Sequence, residues 1–143
     1  MAERSRERGV FRETSEMARA WAGALQTELA QWPGVRVKRS FGMSMVYRGE
    51  TIFACLPGTR MIHSENAIML KFQQIKPALA RRMVADARFV AGSFDSGKRK
   101  GEGLKWRLFL VREDGDVHGA IEWLAEAYRN SKPLRNGQAG GGK

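Results

Sequence analysis

The residues of this chain that could carry chemistry are few, and their spacing completes no known catalytic or metal-binding signature. His63, Ser64 and Glu65 match the H-x-E half of the zinc-deaminase signature, but the P-C-x-x-C half is absent. One cysteine, Cys55, and two histidines, His63 and His118, are too few soft ligands for a zinc centre. We therefore assign no catalytic residue, no metal ligand and no cofactor.

Two further segments invite a chemical interpretation. Cys55 lies inside the apolar run TIFACL, which favours a buried structural thiol, whereas a nucleophile needs an accessible and electropositive setting. The glycine-rich segment Gly97–Gly103 (GKRKGEG) is not a phosphate-binding P-loop, because Glu102 follows Gly101 where that motif requires a lysine. The sequence therefore favours binding over catalysis.

The charge of the chain is concentrated in its middle. The formal net charge is +10, and residues 36–112 hold 16 Lys/Arg against 5 Asp/Glu, a local excess of +11. A basic surface on this segment would attract phosphate-rich polymers or other anions. The single cysteine and the lack of a secretory signal or a long apolar run predict a cytoplasmic protein that does not enter a membrane.

The elements that must position these residues follow from the periodicity of the apolar side chains. Thr14 or Ser15 can cap a helix that runs to about Gln31, with one face formed by Met17, Trp21, Ala24, Leu25 and Leu29. Further helices are expected from Gln74 to about Arg88 and from an Asp116 cap to about Arg129.

Alternation with a period of two predicts the strands. The alternating runs begin at Val35 and at Met43, and a compact turn centred on Gly49 joins the second run to TIFACL, which is a hairpin signature. AIMLKF and WRLFLV are two further strands.

The resulting order is α-β-β-β-β-α-β-α. It predicts an α+β fold, a single two-layer domain in which helices pack on a mainly antiparallel sheet of four to five strands. We expect residues 1–13 to be a flexible arm, residues 14–130 the domain, and residues 131–143 a disordered Gly-rich tail.

The stretch KRSFGMSMVYRGETIFACL followed by AIMLKF resembles the N-terminal domain of the TfoX competence-regulator family, which has a phenylalanine–glycine strand and a tight glycine turn. KWRLFLV and WLAEAYRN look more like the related MmcQ/YjbR family. The resemblance covers about residues 15–130 and implies a small α+β protein, several relatives of which are discussed as DNA-binding or regulatory. The chain departs from the TfoX pattern by a longer helix-plus-loop insertion after AIMLKF, and a competence role is not carried over.

The leading hypothesis is a non-enzymatic cytoplasmic domain that binds DNA or another polyanion through a basic sheet-and-loop surface. Cations at phosphates supply affinity that does not depend on sequence, and Trp106 could stack on a base. The candidate nucleic-acid-binding residues are Arg36, Lys38, Arg39, Lys98, Arg99, Lys100, Lys105, Trp106 and Arg107.

Two alternatives remain open. A protein–protein interaction module, such as a homodimer through the sheet face, would use methionines, which adapt to partners: Met43, Met45, Met61 and Met69. A small-ligand or enzyme site between the sheet and the helices would instead bring together Tyr47, Cys55 and His63.

Overall fold

The computed structural model describes residues 11–62, 66–90 and 106–131, which form three helices and seven strands. The helices are α1 (Glu16–Leu29), α2 (Pro77–Ala85) and α3 (Asp114–Asn130). The strands are β1 (Phe11–Glu13), β2 (Val35–Ser40), β3 (Met43–Arg48), β4 (Thr51–Pro57), β5 (Arg60–Ile62), β6 (Ala67–Lys71) and β7 (Trp106–Leu110). The predicted α+β domain with an antiparallel sheet is confirmed.

Five of the strands form one antiparallel sheet in the order β2-β3-β4-β6-β7, so that β2 and β7 are its edges. The predicted turn at Gly49 joins β3 to β4, and its φ of 63° followed by a residue without positive φ fits a type II′ hairpin. Phe41 and Gly42 form the turn between β2 and β3. The resemblance implied a strand at this phenylalanine–glycine pair, and the structure places a turn there.

Of the predicted helix starts, the one at Ser15 is confirmed, whereas α3 is capped by Glu113 and not by Asp116, which is the third residue of that helix. The hydroxyl of Ser15 accepts a hydrogen bond from the backbone N–H of Ala18 at 3.1 Å and so caps α1. The predicted apolar face of this helix is partly wrong, because Met17 is 72% exposed while Ala18 and Ala22 are buried. The helix α2 begins at Pro77. Proline suits the first turn of a helix, because its backbone nitrogen carries no hydrogen and the first turn has no carbonyl to pair with one.

Each face of the sheet carries a buried apolar cluster. The three helices cover the inner face, where side chains such as Leu25, Leu70, Phe109 and Leu124 form the main core. The opposite, outer face carries a second buried cluster with Met43, Cys55, Met61, Ala67, Met69 and Leu108. Burial of apolar area on both sides stabilises the sheet.

A two-stranded ribbon lies beside the outer cluster. Strand β1, in the segment expected to be a flexible arm, pairs antiparallel with β5, and the fully buried Met61 of β5 packs in the outer cluster. The ribbon is tied to the turn after β4, because the hydroxyl of Thr14 donates to the carbonyl of Gly58 at 2.6 Å. Within the described ranges, no helix is long and apolar enough to cross a membrane.

Candidate nucleic-acid interface

The register of the strands arranges the outer face in rows that run across the sheet. At the end where β2 begins, the outer-face side chains, here called the open row, are Arg36, Tyr47 and Ile52, paired across β2 to β4, and Lys71 and Trp106, paired across β6 and β7. Arg36 is exposed, and the other four are partly exposed. The next row contains Lys38, Met45, Cys55, Met69 and Leu108, of which the last three are buried. The outer face is therefore accessible at one end and covered towards the other.

One end of the open row is a cation–aromatic pair on β2 and β3. The guanidinium carbon of Arg36 lies 5.3 Å from the ring centroid of Tyr47, and its Nη2 donates to the carbonyl of Gly49 at 3.0 Å. Glu50 stands 4.0 Å from the same guanidinium, but its side chain is 99% exposed, so water screens this ion pair. Arg36 is thus oriented by its neighbours while its charge stays accessible.

The other end of the open row repeats this chemistry on β6 and β7. Lys71 and Trp106 are opposite each other in the register, and the ammonium of Lys71 lies 5.8 Å from the centroid of the Trp106 ring. A cation within about 6 Å of an aromatic centroid is attracted by the ring quadrupole. The open row therefore has a positively charged group beside an aromatic ring near each of the two edges of the sheet.

The structure divides the predicted site residues between two edges and two faces. Arg36 and Lys38 lie on the outer face of β2, and Trp106 lies on the outer face of β7. Arg39 and Arg107 occupy inner-face positions of those two edge strands. With strands about 4.8 Å apart, β2 and β7 are about 19 Å from each other across the sheet. The other four predicted residues, Lys98, Arg99, Lys100 and Lys105, lie outside the described residues.

Lys38 and Arg39 are the cations on β2 that nearby acidic groups do not neutralise. Both side chains are exposed, and neither has an ion-pair partner among the residues that the structure describes. Together with Arg36 they give the edge strand three accessible positive charges within four positions. Such a charge array favours an extended anion that runs along the edge.

Three other arginines of the basic segment make contacts within the protein. The guanidinium of Arg48 lies 4.2 Å from the Tyr128 ring centroid and donates to the Tyr128 carbonyl. Arg82 pairs with Glu126 at 3.2 Å, and Arg88 pairs with two aspartates. The excess of +11 along the chain therefore overstates the charge that is available to a partner.

A cleft of about 490 Å³ between α2 and α3 contains Asp86. Hydrogen bonds from the Arg88 guanidinium, at 2.9 Å, and from the indole N–H of Trp123, at 3.0 Å, lower the pKa of Asp86 from 3.8 to about 2. Asp86 is thus a carboxylate held by fixed donors, which suits a structural ion pair better than a general acid or base.

Cys55 is confirmed as a buried thiol. Its Sγ lies 3.4 Å from the Met45 sulfur and 3.6 Å from the Met43 sulfur, and burial raises its pKa to about 12. The thiolate needed for nucleophilic attack is therefore disfavoured. Met43, Met61 and Met69 are also buried, so these methionines do not present an open surface for a second copy of the chain.

Of the two histidines, His118 lies within the described residues. His118 is an exposed residue in the first part of α3, and His63 falls outside the described residues. Across the described ranges, no group of three or more histidine, cysteine, aspartate or glutamate side chains could hold a metal ion. Of the three residues expected in a small-ligand or enzyme site, Tyr47 is partly exposed, Cys55 is buried, and His63 lies outside the described residues.

Three residues of the accessible surface were not among the candidate binding residues of the sequence analysis. Tyr47 and Lys71 join the open row through strand order, which periodicity does not reveal. Phe41 is exposed at a hairpin turn. The sequence feature that could have identified it is the Phe-Gly pair between two alternating runs, where Asn-Gly or Asp-Gly is typical of a turn.

No family model, no curated protein and no solved structure matches this chain. The resemblance to the TfoX and YjbR families therefore stays a prediction.

Proposed function

We propose that this protein binds nucleic acid through the open row and the exposed edge strand β2. The observation that carries the proposal is the pair of cation–aromatic contacts, Arg36 with Tyr47 and Lys71 with Trp106, at one end of one sheet face. Helices occupy the opposite face of the sheet, so this end remains accessible to a ligand.

The residue types fit the two chemical components of a nucleic acid. Arginine and lysine neutralise phosphates, and aromatic rings stack on bases with little dependence on sequence. Tyr47 and Trp106 lie on β3 and β7, three strand spacings or about 14 Å apart. One extended nucleic-acid strand that runs along the open row can therefore reach both aromatic rings.

A ligand that follows the open row reaches β2 at Arg36, and this edge strand offers further cations to the phosphates. Lys38 lies on the same outer face as Arg36, and Arg39 lies on the inner side of the same edge. The net charge of +10 adds a long-range attraction that raises the association rate at low ionic strength. This interaction is sequence-independent, as contacts to the phosphate backbone are.

The test is fluorescence anisotropy with a labelled single strand and a labelled duplex across a salt series. The double variant K38Q/R39Q should weaken binding, and it should reduce the slope of log affinity against log salt by about 1.4 for a single strand if both cations contact phosphates. The control is K76Q/R81Q, which removes the same charge from exposed positions at α2.

The control double variant should change the affinity only slightly, through net charge. No binding at low salt, an affinity that is insensitive to salt, or equal effects of the two double variants would each overturn the proposed function.

A further inference from the structure

Phe41 is an exposed aromatic residue held in a backbone conformation that disfavours it. Its φ is 53°, and 72% of the residue is exposed. With Gly42 at φ 80°, it forms a two-residue turn of type I′, in which asparagine, aspartate or glycine is the usual first residue. A bulky side chain at positive φ is a genuine outlier, because the β-carbon approaches the following carbonyl.

The turn is braced by the neighbouring chain. The backbone N–H of Arg60 donates to the carbonyl of Gly42 at 3.0 Å. Gly58 packs so closely on the same carbonyl that a β-carbon on Gly58 would clash with its oxygen. Thr14 in turn accepts the guanidinium of Arg19 on its carbonyl at 2.6 Å and donates its hydroxyl to Gly58. These contacts fix the backbone of the hairpin tip on which Phe41 lies.

The surroundings of the tip are basic. Lys38 and Arg39 lie three and two residues before Phe41, Arg60 lies against Gly42, and all three cations are exposed. From Arg36 to Phe41 the edge strand extends about 17 Å at about 3.4 Å per residue. An extended anion that binds along β2 would therefore reach Phe41 at the end of the strand.

We infer that Phe41 stacks on an unpaired base and makes the protein selective for single-stranded nucleic acid. This inference rests on the proposed function, because the cations of β2 must first hold the phosphates. Backbone strain that the surrounding structure over-determines is characteristic of functional positions. An exposed ring at a fixed place stacks on a base without a large loss of conformational freedom, and an unpaired base offers both of its faces.

Bases in a duplex are already stacked on their neighbours, so the Phe41 ring can stack on one only if that base is first unstacked, which costs free energy. The inference thus predicts a difference between single strands and duplexes that the phosphate contacts alone do not produce.

The experiment uses the full chain and an oligonucleotide of on the order of ten nucleotides, a length in the range of single-strand binding domains, with 2-aminopurine as the reporter base. F41N removes the ring and suits positive φ, and F41W keeps an aromatic ring. M17Q is the matched control, because Met17 is also 72% exposed but lies on α1.

F41N should bind the single strand about tenfold more weakly, within the contribution of one base–aromatic stack, and should lose the change in 2-aminopurine fluorescence. F41W should retain the single-strand affinity and the fluorescence change, and M17Q should behave as the unmodified protein. The affinity for a duplex should be unchanged in all three variants. F41N should also unfold at the same temperature as the unmodified protein or a higher one, which separates the loss of binding from a loss of fold.

Each contrary result is informative. If F41N binds as tightly as the unmodified protein while K38Q/R39Q binds weakly, the stacking inference fails and the proposed function stands. If the unmodified protein binds no oligonucleotide at low salt, both fail. If F41N abolishes binding to anionic phospholipid vesicles and leaves oligonucleotide binding intact, Phe41 is a membrane anchor and the inference is overturned.

Discussion

The guanidinium of Arg88 lies against the backbone of Gly119 in α3, so closely that a β-carbon at this glycine would overlap its Nη1 atom. The same guanidinium bonds the carboxylates of Asp86 and Asp116, at 2.9 and 3.4 Å, and lies 5.0 Å from the ring centroid of Phe109. Gly119 is therefore the place where α3 makes room for the ion pair that connects it to the end of α2.

This contact predicts that G119A destabilises the protein. Alanine normally stabilises a helix relative to glycine by about 1 kcal/mol, but here the methyl group must displace Arg88 from its partners. Overpacking costs about 1–3 kcal/mol, so after this gain we expect the free energy of unfolding to fall by up to about 2 kcal/mol, as measured by denaturant titration. The control is G23A in α1, where no atom lies within 4 Å of the added carbon and stability should rise. A stabilising effect of G119A would show that Arg88 moves at no cost.

The ion pair also predicts how the stability of D86N depends on pH. The pKa of Asp86 is lowered from 3.8 to about 2, so its charged form stabilises the fold above about pH 4, and this contribution is lost as the pH falls through about 2. At neutral pH we expect D86N to be about 2 kcal/mol less stable, an upper value because Arg88 is partly exposed to solvent. The difference from the unmodified protein should narrow as the pH falls from about 4 towards about 2. A difference that does not depend on pH would show that the charge of Asp86 contributes nothing.

Burial of Cys55 predicts an unreactive thiol. Its pKa is raised from 9.0 to about 12, so at a given pH the native protein holds about a thousandfold less thiolate than an ordinary cysteine. Reaction with a chromogenic disulfide at mildly alkaline pH should be slower in the native protein than in denaturant by at least about a hundredfold. Similar rates in the two conditions would place Cys55 at an accessible position and reopen a catalytic role.

Stacking and charge can be separated at the open row. W106L should weaken single-strand binding about tenfold and leave the salt slope unchanged, because stacking releases no counterions. K38Q should instead lower the slope by about 0.7. The control for lost indole packing is W21L, since Trp21 is also partly buried but packs on the inner core. Equal losses of affinity for W106L and W21L would assign Trp106 a purely structural role.

Features that depend on local sequence could be predicted. The turn at Gly49 follows from a glycine between two alternating runs, and the cap at Ser15 follows from a hydroxyl before an apolar period. The order of elements gave the α+β class because hairpins make neighbouring strands antiparallel.

The arrangement of the site could not be predicted, because it depends on strand order and on coverage. Periodicity places Arg36 and Trp106 on strands, but it does not show that these strands are opposite edges of the sheet. Since both sheet faces carry a buried apolar cluster, alternation also could not show which methionines are covered. Phe41 was missed because its positive φ contradicts the intrinsic preference of phenylalanine.

The most direct test of the central claim is a nuclear magnetic resonance titration of the labelled full chain with a short single-stranded oligonucleotide. If nucleic acid binds at the open row and β2, the largest amide shift changes should cluster on β2, on β3 near Tyr47, and on β6 and β7 near Lys71 and Trp106, and they should disappear at high salt. Shift changes confined to the cleft at Asp86, or no changes at low salt, would contradict binding at this surface.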